Sequence, residues 1–181
     1  MLTVKLLKVM SKVSGGRFEG LYIDLDNGAA YATNGALLVK AEISGLSARA
    51  KAPFRFVPFD LLEAALKQEK PGEMVCFDAE KNEIVIGGSR ILMSELNNPA
   101  PYFTSFERVL TPKKEQEFGF YAPQYLNLIE SILKAAGAGS LNRISNNIKI
   151  DWVAIPGGRR GPLVIDTASH GITAALMPMA V

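Results

Sequence analysis

Thr3, Val4, Lys5, Leu6, Leu7, Lys8, Val9, Met10, Ser11, Lys12 and Val13 open the chain, and Ser14, Gly15 and Gly16 close this run. Leu6, Leu7, Val9, Met10 and Val13 fall at helical spacing, which predicts a short amphipathic helix ended by the glycines. Leu21, Ile23 and Leu25 then alternate with Tyr22 and Asp24, the period of a strand. Asn27 and Gly28 read as a two-residue hairpin turn, and strands continue to about Ile43.

The same pattern recurs twice. Phe54 to Val57 reads as a strand, Leu61, Leu62, Ala65 and Leu66 as the inner face of a second helix, and Met74 to Phe77, Glu83 to Ile86 and Arg90 to Glu95 as three strands. Lys81, Asn82, Gly87 and Gly88 mark the turns between them. Asn97 to Lys114 reads as a Pro- and Asn-rich connector. Beyond it come a strand at Phe118 to Tyr121 and a third helix on Tyr125, Leu128, Ile129, Ile132 and Leu133. Strands at Ile148 to Ile155, Leu163 to Asp166 and Ile172 to Met177 complete the third unit.

A unit of one helix and three strands cannot bury its own apolar face, so units must pair. The expected fold class is therefore α+β with small antiparallel sheets. Residues 1–110 form one two-unit domain, and residues 115–181 form a half-domain of one unit.

Composition bounds the function. At 181 residues, 48% hydrophobic and 21% charged, the chain has globular composition and enough length for a core. A net charge of +2 is too small to announce a nucleic-acid binder, so the placement of Lys and Arg decides that question. Cys76, the one cysteine, has no internal disulfide partner. No secretory signal or apolar run approaching the ~20 residues of a membrane span is present, which favours a reducing cytoplasm and no membrane.

Two segments narrow the reading. Tyr31, Ala32, Thr33, Asn34, Gly35, Ala36, Leu37, Leu38 and Val39 form a strand-turn motif, and the chain ends Met177, Pro178, Met179, Ala180, Val181. With Tyr102, Phe103 and the run Phe106 to Pro112, these segments resemble the bacterial sliding clamp family, the β processivity subunit of the replicative DNA polymerase. The resemblance is to the clamp's middle domain plus the second half of its last domain. It implies a non-enzymatic processivity role in DNA replication or repair, with DNA polymerase and other proteins carrying clamp-binding motifs as partners.

The resemblance also implies a peptide-binding groove at Thr33, Gly35, Leu38, Pro112, Leu163, Met177, Pro178 and Met179. Strand alternation puts Leu37, Val39, Ala41 and Ile43 on one face and Leu38, Lys40 and Glu42 on the other, which leaves Leu38 as an apolar residue on a polar face. Leu38 lines a small apolar patch in this reading; ordinary core positions for Leu38 and Met177 are the alternative. Ala36 and Leu37 stand where the family has His and Arg.

Contact with double-stranded DNA is the second inherited expectation. Lys5, Lys8 and Lys12 form one basic stripe opposite the apolar face of the first helix, suited to phosphates without base readout. The second and third helices carry mixed charge. A clamp-like module that binds protein without encircling DNA is the competing reading.

Catalytic constellations are poor. His170 sits in a Ser-His-Gly turn without a fixed partner, and Gly157, Gly158, Arg159, Arg160 and Gly161 precede no helix as a phosphate loop requires. Asp24 and Asp26 share a strand face and leave a metal-dependent nuclease as a remote third class, but acids are also common beside an Asn-Gly turn. No catalytic residue, metal or cofactor is expected. The odd number of units predicts a homodimer, because the third unit has no second unit within the chain to complete its domain.

Overall fold

The computed structural model describes residues 2–13, 15, 18–43, 54–96, 100–110, 121–141, 149–152, 162–167 and 169–178. Among the described residues there are four α-helices: α1 (Val4–Met10), α2 (Phe59–Gln68), α3 (Ala100–Leu110) and α4 (Pro123–Ala136). The strands are β1 (Gly20–Asp24), β2 (Ala29–Thr33), β3 (Leu37–Glu42), β4 (Phe54–Pro58), β5 (Val75–Asp78), β6 (Glu83–Ile86), β7 (Ser89–Leu92), β8 (Ser94–Glu95), β9 (Lys149–Trp152), β10 (Leu163–Thr167) and β11 (Ile172–Leu176). They form an eight-stranded sheet ordered β8-β4-β1-β2-β3-β11-β10-β9 and a three-stranded sheet ordered β5-β6-β7, with every pair antiparallel.

Local chemistry sets the element ends. The Thr3 hydroxyl accepts from the Leu6 amide at 3.2 Å and caps α1, while a 3-10 turn over Ser11–Val13 extends it. Pro123 opens α4, where its missing N–H costs nothing. Gly137 ends α4 at φ 78°, with the Ala138 amide donating to the Leu133 carbonyl at 2.9 Å.

The first turn differs from the two-residue hairpin expected. Asp24 pairs with Ala29, so Leu25 to Gly28 make a longer loop in which only Gly28 has positive φ. The Asp24 carboxylate accepts from the Asn27 amide at 3.0 Å and from Asn27 Nδ2 at 2.7 Å. The strand expected from Arg90 to Glu95 is also divided: β7 belongs to the small sheet and β8 to the large one, with Met93 between them. Buried Arg55 secures this crossing by donating to Asn82 Oδ1 and pairing with Glu95 at 3.7 Å, while Asn82 donates to the Met93 carbonyl at 2.6 Å.

Helices α1, α2 and α4 cover one face of the large sheet. Leu6, Leu7, Met10, Leu62, Leu66, Ile129 and Ile132 share a core there with Leu37, Val39, Ile165 and Leu176, and Val75, Ile84 and Ile86 of the small sheet join it. Leu61 is 54% exposed and lies outside the inner face assigned to it.

The connector expected at Asn97 to Lys114 contains helix α3, which covers the opposite face of the large sheet. Phe103, Phe106 and Leu110 are buried there with Tyr22, Tyr31, Leu38, Val164 and Ala175. β1 and β2 are consequently buried along both faces, although β1 alternates Leu21 and Ile23 with Tyr22 and Asp24.

The third unit is partnered within the chain. β11 pairs with β3, placing Leu176 opposite Leu37 and Ala175 opposite Leu38. Helices α1 and α4 pack together, and their apolar residues share one core. The premise that this unit lacks an intrachain partner therefore falls. The strand expected at Phe118 to Tyr121 lies outside the described residues except Tyr121, which is in no strand, and the Gly157 to Gly161 loop lies outside them entirely.

Candidate peptide-binding site

The β2–β3 hairpin is built by its own side chains. The Thr33 hydroxyl donates to the Leu37 carbonyl at 2.9 Å and accepts from the Gly35 amide at 3.0 Å. Asn34 Oδ1 accepts from the amides of Ala36 and Leu37 at 3.0 and 2.8 Å. Gly35 sits at φ 87°, in the left-handed region where a side chain is strained, and is exposed.

The end of β11 docks against this turn. The Met177 amide donates to the Ala36 carbonyl at 2.8 Å, prolonging the β3–β11 ladder past Leu176. β10 continues the row, with Leu163 opposite Leu176. Thr33, Gly35, Leu38, Leu163, Met177 and Pro178 thus gather at one end of the large sheet, although the hairpin and the last of them lie far apart in sequence. Met177 and Pro178 are half-buried. Pro112 and Met179 lie outside the described residues.

These residues occupy two faces. Leu37, Leu163 and Leu176 point into the core beneath α1 and α4, whereas Leu38 points to the α3 face. The alternation read for β3 matches this division. Leu38 is nevertheless only 5% exposed, not a surface leucine, because the α3 aromatics lie over it.

Tyr31 and Lys40 of the sheet both bond Glu107 of α3. The buried Tyr31 hydroxyl donates to Glu107 Oε1 at 2.6 Å, and Lys40 Nζ donates to the same oxygen at 3.1 Å. Burial, followed by the hydrogen bond to Glu107, raises the Tyr31 phenol above its ordinary value. Burial opposes ionisation of Glu107, but the bonds from Tyr31 and Lys40 prevail and hold its carboxyl below the usual range.

Solved sliding-clamp structures share this architecture, two of which illustrate it. The DNA polymerase III beta subunit of Thermotoga maritima superposes with a TM-score of 0.60 over 99% of this chain and 64% of its own, at 14% identity. A DnaN sliding clamp from Bartonella birtlesii, bound to griselimycin, gives a TM-score of 0.57 at 12% identity, over 98% of this chain and 63% of its own. The fold is that of the sliding clamp. The chain spans just under two thirds of the length of these clamps. No protein-family model matches it, and no curated protein matches it by sequence.

On the clamp-like helices, Lys5 and Lys12 are exposed, while Lys8 is half-buried and donates to the Glu69 carbonyl at 3.3 Å. Lys67 pairs with Glu63 at 3.1 Å on α2, and Lys134 with Glu130 at 2.9 Å on α4. The helix-one stripe thus offers two exposed ammonium groups and one engaged with backbone.

The remaining candidates have local roles. Asp24 carries its turn, and Asp26 is an exposed residue of that turn, off the strand face expected for it. Ser169 Oγ lies 2.7 Å from His170 Nδ1. Among the described residues, no three His, Cys, Asp or Glu side chains gather as a metal site, and no helix is long and apolar enough to cross a membrane.

Proposed function

We propose that the chain is a sliding-clamp-like accessory of DNA replication or repair. It binds short peptides of partner proteins, DNA polymerase among them, where the β2–β3 hairpin meets the end of β11. The carrying observation is the Met177-to-Ala36 hydrogen bond, which holds the backbone at the end of β11 against the turn that contains Gly35. A half-buried thioether at the end of β11 and an exposed glycine in the adjoining turn suit an apolar peptide side chain, because the thioether re-packs cheaply and a glycine lets a backbone come close. The reading is non-enzymatic, needs no cofactor and places the protein in the cytoplasm, possessing Cys76 as a free thiol.

A synthetic clamp-binding-type peptide with Leu and Phe anchors tests it. Its dissociation constant should be on the order of micromolar, since the surface is small. Met177→Asp should weaken binding about tenfold or more while leaving the backbone bond to Ala36 available. Equal affinity in this variant, or none in the parent, contradicts the site.

A second reading, a clamp-like protein-binding module without DNA encirclement, is favoured by the engaged lysines at positions 8, 67 and 134. Non-specific DNA contact then depends on Lys5 and Lys12. The homodimer belongs to the first reading, in which a ring around DNA is assembled from copies of a clamp-like chain.

A further inference from the structure

We infer that α3 is a resident intramolecular ligand of the Leu38 face, and that a peptide bound at the hairpin corner reaches this face only by displacing α3. The inference rests on the peptide-binding reading above and adds its regulation. Phe103, Phe106 and Leu110 recur at intervals of three and four residues and bury one stripe of α3 against Leu38, Tyr31, Val164 and Ala175. The rings of Phe103 and Phe106 lie 5.5 and 5.4 Å from Tyr31, and Phe103 lies 4.4 Å from Phe54. A Phe-and-Leu stripe is the chemistry expected of an incoming peptide, so α3 already supplies in cis what a partner would bring.

The attachment suits exchange. A helix satisfies its backbone hydrogen bonds internally, so lifting α3 breaks no strand ladder, whereas separating β11 from β3 would. Part of its polar hold is at Glu107, which is 53% exposed and accepts from Tyr31 and Lys40. Thr104, Ser105 and Arg108 are exposed and keep the outer side of the helix in solvent. Ligand binding to a face filled most of the time is weakened by the fraction of molecules in which the face is free.

The test measures affinity of the full chain for the labelled Leu- and Phe-anchored peptide, with hydrogen exchange at residues 100–110. A Tyr31→Phe and Glu107→Ala pair removes the tether while keeping every apolar anchor, and should tighten binding roughly threefold. A Phe103→Ser and Phe106→Ser pair should tighten it about tenfold, provided circular dichroism shows it folded. Saturating peptide should raise exchange across α3 in the parent. Unchanged or weaker affinity in the tether variant, with α3 still protected at saturation, overturns the inference and leaves the peptide site standing. Absence of binding in parent and variants removes the peptide site and this inference with it.

Discussion

Glu130 shows how one side chain can carry a measurable part of the pH response. Lys134 donates to it first in importance, the Ser140 hydroxyl and Leu141 amide follow, and together they lower its carboxyl from 4.5 to about 2. A depressed folded-state value contributes stability that is present above about 4.5 and lost as pH falls toward about 2. Urea midpoints of the parent should therefore fall more steeply over that window than those of Glu130→Gln. Parallel curves would show that the bonds around Glu130 add nothing to folding. At the same scale, the hairpin residues Thr33 and Gly35 were legible because hydroxyl, amide and glycine chemistry acts within a few residues. For Leu38 the sequence left surface patch and core as alternatives, and the structure puts it in the core, because its cover lies in a distant segment.

Among the elements, α1 and the 3-10 turn that extends it carry the surviving basic surface. Lys5 and Lys12 are exposed, so any duplex binding should be weak, independent of sequence and dependent on these two side chains. A Lys5→Glu and Lys12→Glu variant should bind a generic duplex more weakly and show a shallower salt dependence, by about one counterion per lost contact. An unaltered salt slope would take α1 off the DNA surface. Helices α1, α2 and α4 were readable from apolar spacing, as were most strands. Helix α3 escaped because Asn97, Asn98, Pro99 and Pro101 punctuate its start as a loop would. Its signal was present in Phe103, Phe106 and Leu110, and Pro101 falls in the first helical turn, where proline is tolerated.

For the whole molecule, the repeated unit was visible in sequence, but the joining of the third unit to the first was not. Antiparallel pairing of β3 with β11 depends on two segments with no short-range signal linking them, and the packing of α1 on α4 follows from that join. The join also removes the original ground for a homodimer, an unfilled third unit. A homodimer then rests on the proposed clamp-like role alone. Sedimentation equilibrium at micromolar concentration should show a dimer, and a monomer at that concentration would contradict the homodimer.

The central claim is that the hairpin and the end of β11 form one peptide-binding corner. Amide chemical-shift mapping of the full chain during titration with the Leu- and Phe-anchored peptide tests it most directly. The expected perturbations cluster at residues 33–38, Leu163 and Met177, with a second set along residues 100–110 as α3 is displaced. Saturable binding whose perturbations fall instead on β5, β6 and β7, or a titration with no perturbation at the corner, would contradict the account.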